Sequence, residues 1–116
     1  MPDRLTSQKK KELRDQLYDR DGHECHYCGI EEEDFRKIWG PIFYGAEKRG
    51  QVLEIDRKDN GQSYEDIANC VLACALCNMS KSDKFHYDEF KRVGSVIREI
   101  WQARQAGVHR GQNQRE

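Results

Sequence analysis

The strongest constraint on this chain is a repeated cysteine spacing. Cys25-His26-Tyr27-Cys28 and Cys74-Ala75-Leu76-Cys77 are two Cys-x-x-Cys turns in one chain of 116 residues. Each turn aims two sulfurs at one point, and two turns together supply the sulfur tetrahedron that zinc prefers. The cysteine count is odd, at five, and the N-terminus has no apolar stretch of a secretory leader, so metal is favoured over disulfides. Four thiolates leave no open coordination position, so the expected zinc is structural. The fifth, Cys70, reads as a small buried hydrophobe in a strand. A redox role for either pair alone is the competing reading, but no thioredoxin-like βαβ pattern flanks them.

The length predicts one domain, and a core of this size benefits from a metal staple. We assign residues 1–105 to that domain and 106–116 to a flexible tail without apolar periodicity. Charged residues make up 35% and apolar residues 36%, and no apolar run approaches the roughly 18 residues of a membrane span. The expectation is a cytoplasmic protein of bacterial or phage type. Net charge is -1, so bulk charge does not announce a nucleic-acid binder. The distribution is uneven: Glu24, Glu31, Glu32, Glu33 and Asp34 stand together, whereas Lys9–Lys11 and Lys81, Lys84, Lys91 and Arg92 form basic clusters. Such clusters read either as solvated helix faces or as a local phosphate-tracking surface.

The elements follow from periodicity and punctuation. Residues 7–21 predict a helix capped by Ser7, with Leu13 and Leu17 on one face and Asp21-Gly22 at its end. A short helix is expected from Glu31 to Ile38, then a loop through Gly40-Pro41 and Gly45. Val52–Asp56 and Asn69–Ala73 predict a strand and its return, with Asp59-Asn60-Gly61 as a turn signal between them. The second knuckle opens a helix to about Ser82. A last helix is expected over Asp88–Gln105, where Phe90, Val93, Ile97, Ile100 and Trp101 form a stripe for the core or a dimer interface. The fold class is therefore a small α+β zinc-stabilised domain with a hairpin and helix flanked by N- and C-terminal helices.

The stretch LEIDRKDNGQSYEDIANCVLACALCNMSKSD, from Leu53 to Asp83, resembles the signature of the HNH, or ββα-metal, endonuclease family. That signature has a strand ending in Asp-His, an Asn before the second strand, then Cys-x-x-Cys and a helix bearing Asn or His. The resemblance runs from Tyr18 to about Trp101. It is tighter to the PacI-like branch of restriction and phage enzymes, which reads Asp-Arg where most of the family has Asp-His. Asp56-Arg57, Tyr64, Asn69, Asn78, Lys81-Ser82 and Gly94…Ile97…Trp101 are similar to that branch. The resemblance implies that Asp56 and Asn78 hold one catalytic divalent cation, magnesium or manganese, and that Asn69 fixes the loop backbone. A carboxylate and an amide oxygen are hard ligands that suit such an ion. It also implies a hydrolase acting on the phosphodiester bonds of double-stranded DNA, with a homodimer as a further expectation.

The family's usual base is a histidine at the position of Arg57. Arginine stays protonated, so it is expected to clamp phosphate instead. Tyr18 resembles the tyrosine of the PacI-like branch and is the expected base, with His23 and His26 next. That branch carries an extra N-terminal metal ribbon, which residues 1–24, without cysteine, do not. Taken one at a time, Asp56 reads equally as a turn residue, Asn78 as a helix cap and Tyr18 as a core residue beside Leu17. The alternative for the whole chain is a catalytically silent zinc module that binds nucleic acid or a protein.

Overall fold

The computed structural model describes residues 5–39 and 52–107. The expected loop at Gly40–Gly45 and most of the expected tail lie outside them. Helix α1 spans Ser7–Asp21. Its cap is Thr6 rather than Ser7, because the Thr6 hydroxyl accepts the Lys9 N–H at 3.1 Å. It ends at Gly22, whose φ of 84° suits a residue without Cβ. Only Leu17 is fully buried on this polar helix. Arginines complete the docking: Arg14 donates to the Leu53 carbonyl at 3.1 Å, and Arg20 to the carbonyls of Ile67 and Cys70 at 3.1 and 2.8 Å.

The first knuckle follows and is closed by a bridge between Glu24 and Glu31. A 3-10 turn, Glu32–Asp34, leads into the short helix α2, Phe35–Trp39, which buries Phe35 and Ile38. Strands β1, Glu54–Arg57, and β2, Cys70–Ala73, then form an antiparallel pair with Asp56 opposite Val71 and Arg57 opposite Cys70. The pairing starts later than the expected Val52, since the Leu53 N–H is taken by Glu32 at 2.8 Å. Asn69 falls in a 3-10 turn, Ile67–Asn69, just before β2.

Helix α3, Ala75–Lys81, begins on Cys74 as its cap. Helix α4, Tyr87–Gln105, starts one residue before the expected Asp88, behind a capping box of His86 and Glu89. Its inner face is Phe90, Gly94 and Trp101, with Val93 and Ile97 half-buried. Ile100 is exposed rather than part of the stripe, because Gly94, not Ile100, completes the face that meets the first knuckle. Burying a side chain such as Phe90 contributes about 2 kcal/mol, so α4 is held by a few large residues. The result is a small α+β domain in which α1 and α3 pack on the hairpin, and α4 packs on the first knuckle and α2. Among the described residues, no helix is long and apolar enough to cross a membrane.

Candidate metal centre and active-site cleft

The two knuckles converge. The sulfurs of Cys25, Cys28, Cys74 and Cys77 all lie within 4.8 Å of one another, and all four residues are buried. A tetrahedral zinc with bonds of about 2.3 Å requires sulfurs about 3.8 Å apart, and Cys28 and Cys74 stand 3.8 Å apart. Both turns also donate backbone N–H groups to sulfur, Cys28 to Cys25 at 3.5 Å and Cys77 to Cys74 at 3.4 Å. Trp101 adds its indole N–H to Cys28 Sγ at 3.1 Å. Gly29, at a φ of 77°, turns the chain out of the first knuckle. Hydrogen bonding with the Cys25 and Cys28 sulfurs pushes the thiols of Cys74 and Cys77 far up. Four thiolates at this spacing need a cation to balance them, and the donor set fits zinc with no ligand position left over.

Beside this centre lies an open cleft of about 420 Å³, lined by Ile55, Asp56, Arg57, Asn60, Tyr64, Asn78, Ser82 and Asp83. Three sequence-derived candidates therefore meet in one place: Asp56 and Arg57 from β1, and Asn78 from α3. Asp56 is only 5% exposed. Its Oδ2 accepts the Tyr27 hydroxyl at 2.6 Å and lies 3.4 Å from Lys81 Nζ. Burial pushes its carboxyl above the usual range despite these two partners. The Arg57 guanidinium lies 4.5 Å over the Tyr64 ring and donates to the Gln62 carbonyl at 3.2 Å. Asn78 donates its amide N–H to Glu54 at 2.7 Å, which leaves its Oδ1 as an acceptor. Asn69 stands outside the cleft and grips the Asp59 backbone twice, accepting its N–H at 3.0 Å and donating to its carbonyl at 3.1 Å.

Tyr18 is placed elsewhere. It is not among the residues lining the cleft. Its hydroxyl donates to Glu32 at 2.7 Å, and its ring stacks on His23 with centroids 3.7 Å apart. Burial and the Glu32 contact push its pKa upward, the opposite of what a base requires. His23 leans on Glu32 at 3.3 Å, and His26 meets the Tyr87 hydroxyl at 2.7 Å. Among the described residues, no histidine lines the cleft, and the ionisable ones that do are Asp56, Arg57, Tyr64 and Asp83. Sequence reasoning gave no role to Tyr27, and it placed Lys81 in a basic cluster and a motif match without a partner. Tyr27 hides between two cysteines, and Lys81, 1% exposed, reads in the sequence as one more basic residue.

The cleft suits a hard cation on the Asp56 carboxylate and the Asn78 amide oxygen, with a guanidinium beside it for an anion. No family model matches the chain. Over 68 residues it is 31% identical to YoqL, a prophage-derived protein of Bacillus subtilis strain 168 named as an HNH endonuclease. That match covers 59% of this chain, which spans about a quarter (26%) of the relative's length. The fold is similar to that of the rare-cutting HNH restriction endonuclease PacI, with a TM-score of 0.60, 27% identity, and coverage of 84% of this chain and 82% of that one. The chain is thus similar in sequence to a protein named as an HNH endonuclease and similar in fold to an HNH restriction endonuclease.

Proposed function

We propose that this protein is a metal-dependent endonuclease that hydrolyses phosphodiester bonds in double-stranded DNA. The observation that carries the reading is the meeting of Asp56, Arg57 and Asn78 in one open cleft beside the four-cysteine centre. In this reading the cysteines hold a structural zinc, which ties the first knuckle to the start of α3. Asp56 and Asn78 hold a magnesium or manganese ion, which when bound would stabilise charge on the scissile phosphate and leaving oxygen. Arg57, braced by Tyr64 and the Gln62 carbonyl, orients the phosphate and offsets its charge as the bond breaks. Asn69 acts at one remove, since its grip on Asp59 keeps the loop after β1 from shifting.

Water activation has two tyrosine candidates. Tyr18 is the one that the resemblance implies, and its hydroxyl must leave Glu32 before it can accept a proton. Tyr64 already lines the cleft under Arg57, an observation that favours it. Loss of a general base slows a reaction by about 100- to 10,000-fold. Single-turnover rates of Tyr18→Phe and Tyr64→Phe therefore separate the two, and equal wild-type rates in both remove tyrosine from the mechanism.

The test of the function is cleavage of supercoiled plasmid by zinc-loaded protein, with magnesium or manganese against EDTA. Cleavage is expected only with the divalent ion. Asp56→Ala and Asn78→Ala should abolish it while zinc content and the folded spectrum stay as in the wild type. Metal-independent cleavage, or wild-type rates in both variants, refutes the assignment. DNA binding without any cleavage would instead favour a silent zinc module.

A further inference from the structure

Tyr27 lies inside the first knuckle, between Cys25 and Cys28, yet its hydroxyl reaches the cleft. It is 3% exposed, and it donates to Asp56 Oδ2 at 2.6 Å. Its ring has little freedom: Phe90 meets it edge-on at 5.1 Å with an interplanar angle of 90°. Its backbone has little freedom either. A Cβ on Gly94 would stand 2.4 Å from the Tyr27 carbonyl oxygen, so α4 approaches the knuckle as closely as a glycine allows. The neighbouring His26 N–H is bonded to the Leu72 carbonyl of β2 at 2.8 Å. The knuckle, the hairpin and α4 thus immobilise one phenol and aim it at one carboxylate.

Among the described residues, both side-chain donors to Asp56, Tyr27 and Lys81, reach the same oxygen, Oδ2. Oδ1 is then the oxygen available to a cation in the cleft. We propose that Tyr27 is a positioning residue: it holds the Asp56 carboxylate in its ligating orientation, so that the four-cysteine centre sets the geometry of the catalytic metal site. The inference rests on the proposed nuclease reading, in which Asp56 is a metal ligand. Hydrogen bonds that orient a ligand in this way are worth about 10- to 100-fold in metal affinity. Losing the phenol hydroxyl removes that constraint without altering the charge of the site or the volume of the ring.

The test measures manganese binding by the loss of the free-ion electron paramagnetic resonance signal, on zinc-loaded full-length protein without DNA. Tyr27→Phe is expected to keep its zinc and to raise the manganese Kd by about 10- to 100-fold, whereas Asp56→Ala loses the site. In plasmid cleavage the same variant should show a raised KM for magnesium, with kcat at saturating metal close to wild type. A manganese Kd equal to wild type in zinc-replete Tyr27→Phe overturns the inference and leaves the nuclease reading standing. Equal manganese binding by wild type and Asp56→Ala overturns both. Should Tyr27→Phe fail to hold zinc, the unsubstituted protein supplies the second measurement. Its Tyr27 ¹³Cζ resonance is expected to shift as magnesium is titrated, and a resonance that does not move overturns the inference.

Discussion

Lys81→Met tests the energetics beneath the cleft. Lys81 is 1% exposed, and its ammonium has two partners, the Arg57 carbonyl at 3.0 Å and Asp56 Oδ2 at 3.4 Å. Methionine keeps most of the stem and removes the charge. Among the described residues, Asp56, 5% exposed, would then keep only the Tyr27 hydroxyl as a side-chain donor, and the Arg57 carbonyl would lose the ammonium. Removing one partner of a buried ion pair costs about 3–5 kcal/mol, because the other charge stays buried. The low end applies here, since Asp56 borders an open cleft and its burial already favours the protonated form. At about 4–8 °C per kcal/mol for a domain near this size, a loss of 3 kcal/mol lowers Tm by more than about 10 °C. The assay is thermal or urea unfolding at fixed excess zinc without magnesium, since bound ions add stability by mass action. Lys81→Met/Asp56→Asn should recover most of the loss, since no uncompensated charge remains buried. A Lys81→Met variant within about 1 kcal/mol of wild type, or a double variant no better than the single, would refute this account of the pair.

Metal analysis should find one zinc per folded chain, and Cys25→Ser or Cys77→Ser should abolish folding, because binding energy in such a centre is folding energy. Cys70→Ala should cost only about 1 kcal/mol by urea unfolding, since Cys70 lies outside the cluster and its thiol only leans on the Tyr64 and Asp66 carbonyls. Gly94→Ala should lose at least about 1–3 kcal/mol, as its methyl would meet the Tyr27 backbone at 2.4 Å; an unchanged midpoint would show that α4 can back away from the knuckle.

Much of the architecture was legible because it rests on local patterns. The Cys-x-x-Cys spacing makes two tight cysteine turns wherever the chain goes, and punctuation marks the ends of α1 and α3. The hairpin is legible from the β-branched runs around Asp59-Asn60-Gly61. The first helix kept its expected bounds with its cap at Thr6 instead of Ser7, while a strand start and a helix start slipped by one or two residues, at Glu54 and Tyr87, since a cap or an element's end is decided by which hydrogen bond forms. Asp56, Arg57 and Asn78 could be named from their order in a motif, but a motif carries no distances. Their meeting depends on β1 and α3 packing against each other.

Residues far apart in sequence escaped the sequence reading for a physical reason. Periodicity tells which face a side chain occupies and says nothing of its partner. Tyr27 and Asp56 are 29 positions apart, and their bond exists only because the knuckle, α4 and the hairpin close on one another. Lys81 is written as a surface charge and is buried because a buried carboxylate and a carbonyl receive it. Tyr18, expected at the cleft, binds Glu32, whose carboxylate also takes the Leu53 N–H at the foot of β1. The sequence by itself determined the paired cysteine turns, the hairpin and the helices, because short-range spacing and stereochemistry suffice for them. Only the tertiary structure decided which donor faces which acceptor, since that choice is made by the packing of elements that the sequence does not order in space.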